Sequence, residues 1–226
     1  MACESGVYKD PPKLTRKDLD LCELNIVYVF VLGDQGTGKT TLIDTLTTRR
    51  IYDPLLPSFQ YVSESINMSD MGMITLRFLE LKRFQLFLPE ISQICRAAKN
   101  IFLFVYAYDD LDSLRCLYTN WIIHVKNAFG WPVTTVMLGT KVDLMNIPGF
   151  NETHHVCTNA SAHCYKALFK VNYVFECSAF TGYQVGTVFC EIAKLGNKTR
   201  PLLSENFKMI KKFNSILESK NIFEEN

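Results

Sequence analysis

A glycine-rich stretch sets the strongest limit on the fold of this chain: Gly33-Asp34-Gln35-Gly36-Thr37-Gly38-Lys39-Thr40. It follows an apolar run, 26–32, and leads into a segment with the apolar spacing of a helix. In such a strand–loop–helix unit, glycines let backbone amides converge on phosphate oxygens, and the helix N-terminus adds its dipole. Lys39 is placed to reach the β- and γ-phosphates, and the Thr40 hydroxyl to bind Mg²⁺. The motif predicts a nucleoside phosphate site formed by Gly33, Gln35, Gly36, Thr37, Gly38, Lys39, Thr40 and Thr41.

The rest of the chain alternates strands with helices, which predicts an α/β fold with a mostly parallel sheet and helices on both faces. The predicted strands are 26–32, 61–68, 73–81, 101–107, 133–139 and 173–177. The predicted helices are 39–49, 85–98, 112–128, 160–170 and 185–195, with loops at 50–60 and 144–158. The second and third strands flank a turn, so we expect them to form an antiparallel hairpin.

Three segments are expected. Residues 1–24 are polar and contain Pro11-Pro12, which indicates a flexible arm before a domain at 25–196. Residues 197–226 form a helical extension with lysines beside apolar residues, which could dock on the domain or contact a membrane or partner.

Composition excludes several partners and locations. The net charge of +1 provides no field for nucleic acid, so no nucleic acid partner is expected. The eight cysteines show no CxxC spacing, and no secretory segment is present, which favours reduced thiols and a cytoplasmic location. Ala2 and the sequence ending at Asn226 match no lipidation motif, so no stable membrane anchor is expected.

Two stretches at the ends of later predicted strands, 139–143 and 176–179, indicate which base is bound. The Asp143 carboxylate can accept hydrogen bonds from the N1–H and exocyclic amine of guanine, a pair that adenine does not present. The aliphatic stem of Lys141 can lie on the purine face, and the Ala179 amide can donate to guanine O6. These stretches predict guanine contacts from Thr140, Lys141, Asp143, Ser178 and Ala179.

With these motifs, residues 25–196 resemble the Ras superfamily of small GTPases. The glycine-rich stretch is similar to the Rab form, and Thr140 before Lys141 is similar to Rho proteins and the septum-promoting GTPases of yeasts. The resemblance implies a P-loop G domain with six strands and five helices. It also implies a molecular switch or scaffold in signalling or trafficking that binds GTP or GDP with Mg²⁺. Effectors or regulators would bind through 50–60 and 80–98.

The chain departs from that family in the two segments that sense the γ-phosphate. About eighteen residues after Thr40, the family's Mg²⁺-binding Thr is replaced by Ser58, which keeps the hydroxyl; an alternative register would place Leu55 there. The family's Asp-x-x-Gly-Gln is replaced by a stretch from Glu80 to Phe84. Metal contacts are therefore expected from Thr40 and Ser58, and Glu80 could hold Mg²⁺ through water.

The altered second segment implies slow or absent hydrolysis. Arg83 replaces the glycine that approaches the γ-phosphate, and its β-carbon opposes that approach. Phe84 replaces the glutamine that orients water, and it has no group to do so. Gln35 could crowd the same space. We expect Phe84 to be exposed and to contact a partner.

Three alternatives remain open from the residues alone. The chain could be a nucleotide-binding interaction module without turnover, or an ATP-dependent P-loop kinase, although no arginine-rich lid is visible. A zinc site could also form in one loop and the helix after it, from His154, His155, Cys157, His163 and Cys164.

Overall fold

A single sheet forms the centre of the computed structural model, which describes residues 25–46, 51–52, 59–68, 72–81, 84–129, 133–150 and 156–199. Its strands are β1 (Ile26–Leu32), β2 (Ile51–Tyr52), β3 (Phe59–Met68), β4 (Gly72–Leu81), β5 (Lys99–Ala107), β6 (Thr135–Thr140) and β7 (Tyr173–Glu176). Their order across the sheet is β2-β3-β4-β1-β5-β6-β7. The neighbours β4–β1, β1–β5, β5–β6 and β6–β7 are parallel. The predicted α/β fold with a mostly parallel sheet is confirmed.

The first strands after the glycine-rich stretch run antiparallel. β3 pairs with β4 so that Phe59 lies opposite Leu81 and Met68 opposite Gly72, which confirms the predicted hairpin. β2 was not predicted, because its two residues fall in the expected loop 50–60. Isoleucine and tyrosine favour strands, and this pair adds a seventh strand at the edge by pairing with β3. The nearby prolines obscured that signal in the sequence.

Helices cover both faces of the sheet. They are α1 (Lys39–Leu46), α2 (Leu88–Ala97), α3 (Leu111–Arg115), α4 (Ile123–Phe129), α5 (Asn159–Phe169) and α6 (Val185–Lys198). Alternate residues of β1 enter two cores because successive side chains of a strand point to opposite faces. Tyr28 and Phe30 lie in the core that includes residues of α2, α4 and α5, while Val29 and Val31 lie in the core that includes residues of α1 and α6.

The predicted helix 112–128 is interrupted. The Asp110 side chain caps α3 by accepting hydrogen bonds from the amides of Asp112 and Ser113. A π-helical turn, Tyr118–Ile122, then precedes α4. A π turn widens the helix locally and is often found at functional sites. Here it carries two side chains that reach the glycine-rich stretch.

The expectation that Phe84 is exposed is wrong. Phe84 begins a 3₁₀ turn, Phe84–Phe87, and is 4% exposed in the core. Its ring meets that of Phe129 edge-on, with 6.4 Å between centroids. The physical reason is spacing: apolar residues at 84, 87, 88 and 91 follow helical periodicity into α2 and turn this side of the segment inward.

Two predicted segments lie mainly outside the described residues: the arm 1–24, and the extension 197–226 beyond position 199. Across the described ranges, no helix combines the length and the apolar character needed to cross a membrane.

Candidate functional site

The glycine-rich loop between β1 and α1 depends on glycine at specific places. At Gly33, a β-carbon would lie 2.2 Å from the carbonyl oxygen of Val105, a distance no side chain tolerates. At Gly38, φ is +79°, in the left-handed region that side chains rarely adopt. Gly33 therefore lets the loop pack closely against β5, and Gly38 lets the loop adopt its left-handed backbone.

This loop borders a cavity of about 650 Å³. The cavity brings together every predicted phosphate residue except Thr37, and it is lined by Gly33, Asp34, Gln35, Gly36, Gly38, Lys39, Thr40, Thr41, Glu80, Leu81, Trp121 and Lys141. The Thr37 side chain is 1% exposed, and its hydroxyl donates to the Asp34 carbonyl at 2.9 Å. Thr37 therefore braces the loop with its side chain.

Lys39 is a buried cation whose ammonium group bonds to backbone carbonyl oxygens. Its Nζ donates to the carbonyl oxygens of Gly33 at 2.8 Å and Asp34 at 2.6 Å. Burial lowers the pKa of Lys39, although the charges of Glu80 and Asp34 act in the opposite direction. Carbonyl dipoles compensate an ammonium only in part. The site is thus suited to an anion such as phosphate.

A hydroxyl and a carboxylate meet at the same cavity. The Thr40 hydroxyl lies 2.9 Å from both Oε1 and Oε2 of Glu80, which is the penultimate residue of β4 and is 6% exposed. Mg²⁺ prefers carboxylate, hydroxyl and phosphate oxygens, so this pair fits the ion. Ser58, the other predicted metal contact, lies outside the described residues.

The Asp34 carboxylate, in the glycine-rich loop (the P-loop), is bound by two side chains that the sequence did not reveal. Trp121 Nε1 donates to Asp34 Oδ1 at 2.7 Å, and Asn120 Nδ2 lies 3.2 Å from Asp34 Oδ2. Both donors come from the π-helical turn. No local pattern reveals this contact, because the partners are more than eighty residues apart. The turn therefore fixes the P-loop from outside.

Replacing Trp121 with phenylalanine should destabilise this arrangement. The variant keeps an aromatic ring but loses the indole N–H donated to the Asp34 carboxylate, and hydrogen bonds to charged groups contribute about 1.5–3 kcal/mol. We expect the free energy of unfolding in denaturant to fall by about that amount. Asn120→Ala is the matched control, and its effect should be smaller because that contact is exposed. Wild-type stability in Trp121→Phe would contradict the role assigned to this bond.

A second cavity, of about 340 Å³, adjoins the first and lies at the ends of β6 and β7. It is lined by Gly38, Thr41, Thr140, Lys141, Asp143, Leu144, Ala179 and Phe180. Asp143 Oδ1 is buried and has no hydrogen-bond partner among the residues that the structure describes. Lys141 has a left-handed backbone, with φ of 60°, and its Nζ pairs with Asp109 Oδ2 at 3.0 Å. A buried acceptor without a partner favours a ligand that donates hydrogen bonds.

Thr140 and Ser178, which were predicted to contact the base, form hydrogen bonds to backbone groups with their side chains. The Thr140 hydroxyl lies 2.6 Å from the carbonyl oxygen of Thr37 and 3.1 Å from that of Tyr106, which ties β6 to the P-loop. Ser178 is fully buried, and its hydroxyl oxygen accepts from the Thr181 amide at 3.1 Å. These contacts fix the loops that carry Lys141 and Ala179.

The residues considered for a possible zinc site form no metal-binding group, as far as the structure describes them. Cys157 is buried, and its thiol lies 3.4 Å from the Ala107 carbonyl oxygen. Burial, with smaller contributions from Asp110 and Asp109, raises the pKa of Cys157 to about 12, which disfavours the thiolate that zinc binds. His154 and His155 lie outside the described part of the chain, within which no group of three His, Cys, Asp or Glu residues could hold a metal.

Comparison with protein families identifies a match that covers most of the chain. A sequence model of the Ras family matches residues 28–198. The match begins inside β1 and ends at the last residue of α6, so it includes the loops around both cavities. No individual curated protein matches the chain.

Proposed function

The chain belongs to the Ras family, whose members are small GTP-binding switch proteins, and we propose that it binds GDP and GTP in the two adjoining cavities. The larger cavity would hold the phosphates and the smaller one the base. They share Gly38, Thr41 and Lys141, so one nucleotide can extend through both.

The observation that carries this proposal is the buried Asp143 Oδ1, which has no partner in the described part of the chain. A carboxylate there accepts from the N1–H and amine of guanine, whereas adenine would leave it unpaired. An unpaired buried polar group discriminates strongly against the wrong ligand. Guanine is therefore favoured over adenine, and with it a GTP-binding protein over a kinase that uses ATP.

The phosphate end is supported by Lys39, Thr40 and Glu80. The Lys39 ammonium would bind the phosphate oxygens, while Thr40 and Glu80 would hold Mg²⁺. When bound, Mg²⁺ neutralises phosphate charge. The loop would exclude water from the phosphates on the side where it packs against β5.

We further propose that unassisted hydrolysis is slow. The position of the family's water-orienting glutamine is occupied by Phe84, whose ring is in the core and has no polar group. The bound nucleotide would then serve mainly to keep the protein in a conformation that binds a partner, as in an interaction module. A partner could supply the missing catalytic group.

We also propose a subtype of GTPase, a location and partner-binding segments for this chain. The chain would be an atypical member with a Rab-like P-loop and a Rho-like or yeast septum-promoting type of base motif. It would act in the cytoplasm, in signalling or trafficking, and bind effectors through 50–60 and 80–98. Phe84 is not part of that surface, because its side chain is buried.

Single-turnover hydrolysis of bound GTP by the purified chain tests the proposal. We expect turnover below that of ordinary family members. Phe84→Gln should not raise it, because the new amide would enter the core without a partner and lower the free energy of unfolding by about 3 kcal/mol.

Phe84→Leu is the matched control, which keeps an apolar side chain and should lose less stability. Rapid turnover in the wild type would overturn slow hydrolysis. A stable Phe84→Gln variant with raised turnover would show instead that residue 84 faces the nucleotide.

A further inference from the structure

One large aromatic side chain is left in solvent by an ordered turn. Phe180 is 91% exposed, although phenylalanine is usually interior. The turn that carries it is held by the Thr181 amide donating to Ser178 Oγ at 3.1 Å and the Ser178 amide donating to the Tyr183 carbonyl at 3.0 Å. These bonds fix the backbone of the turn from which the exposed ring projects.

The ring borders the base cavity. Phe180 lines the smaller cavity together with Lys141 and Asp143. The Lys141 stem is held there because its Nζ pairs with Asp109 at 3.0 Å. The loops that carry Lys141 and Phe180 follow neighbouring strands, which are joined where the Cys177 amide donates to the Gly139 carbonyl at 2.8 Å. The cavity thus combines an aromatic ring, an aliphatic stem and one buried acceptor.

We propose that Phe180 stacks on the face of the bound purine and, with the Lys141 stem, holds the base while Asp143 reads its edge. This inference rests on the proposed function, because it assigns a residue to the same site. A flat heteroaromatic ligand with N–H donors on one edge matches all three surfaces. Stacking of bases on aromatic side chains is strong and tolerates differences between bases. Phe180 therefore determines affinity, and Asp143 determines which base is bound.

The alternative is that a protein partner, and not the purine, covers the Phe180 ring. Such a partner would also cover Tyr183, which is 49% exposed on the same turn but does not line the cavity. The two occupants make opposite predictions for nucleotide binding, because a surface used only by a partner does not change how fast GDP leaves.

The test is GDP dissociation from the full chain in Mg²⁺. We expect Phe180→Ala to release GDP about ten-fold faster and to bind it correspondingly more weakly, by about 1.4 kcal/mol. Phe180→Tyr keeps a ring and should behave as the wild type. Tyr183→Ala is the matched control and should leave the rate unchanged. Because residue 180 is exposed, the variants at this position should unfold at the wild-type temperature without nucleotide.

A second readout uses Phe180→Trp. If the indole stacks on guanine, its emission, after subtraction of the wild-type signal from Trp121 and Trp131, should change on addition of GDP. Wild-type dissociation in Phe180→Ala, together with unchanged emission, would overturn the stacking role while leaving guanine binding intact. Failure of the wild type to bind GDP would overturn the proposed function itself, and with it the stacking role.

Discussion

Lys39→Ala should lower the affinity for GDP by about 100-fold or more. Charge-assisted hydrogen bonds contribute about 1.5–3 kcal/mol each, and Lys39 is placed to bind more than one phosphate. The free protein should stay folded, because burial already lowers the pKa of Lys39 and thus disfavours its charged form. Calorimetric titration with GDP measures the loss.

Lys194→Ala provides the matched control for removal of a lysine. Its side chain is 43% exposed on α6 and pairs with Glu191 at 2.7 Å, away from both cavities. The control should bind GDP as the wild type does. If Lys39→Ala bound GDP within about three-fold of the control (a difference under about 0.7 kcal/mol), the phosphates could not lie in the larger cavity.

Asp143→Asn should change which base is bound. An amide at this position can donate where the carboxylate only accepts, so it opposes the guanine amine. We expect GDP affinity to fall by on the order of 100-fold, because buried donors are left unpaired. Xanthosine diphosphate has a carbonyl in place of that amine and should bind the variant better than GDP does.

Asp112→Asn is the matched control, because Asp112 is exposed on α3 and pairs with Arg115 of the same helix. Its preference for GDP should not change. Equal GDP affinity in Asp143→Asn and the wild type would show that residue 143 does not contact the base.

The parts of the fold that are encoded locally could be predicted from sequence. All seven residues of β1 are buried, and a strand buried on both faces reads as a continuous apolar run. β5 follows the same rule, with eight of nine residues buried. The glycine-rich loop is also local, because the turn, the lysine and the helix start occupy consecutive positions. These features allowed the fold class to be inferred.

Contacts between distant segments could not be predicted in this way. Trp121 and Asp34 are 87 residues apart, and nothing in either local pattern indicates that they meet. The prediction that Phe84 is exposed was wrong for another reason. The resemblance assigned Phe84 to a surface segment, whereas the apolar residues that begin there continue with helical spacing into α2. Phe180 is a single aromatic in a turn, and its exposure depends on the hydrogen bonds that fix that turn.

The central claim is that this chain binds guanine nucleotides at the two adjoining cavities. Calorimetric titration of the full chain with GDP and with ATP, in the presence of Mg²⁺, tests it most directly. We expect tight binding of GDP, because the Asp143 carboxylate pairs with its base, and no measurable binding of ATP. Tight binding of ATP without binding of GDP would contradict the account.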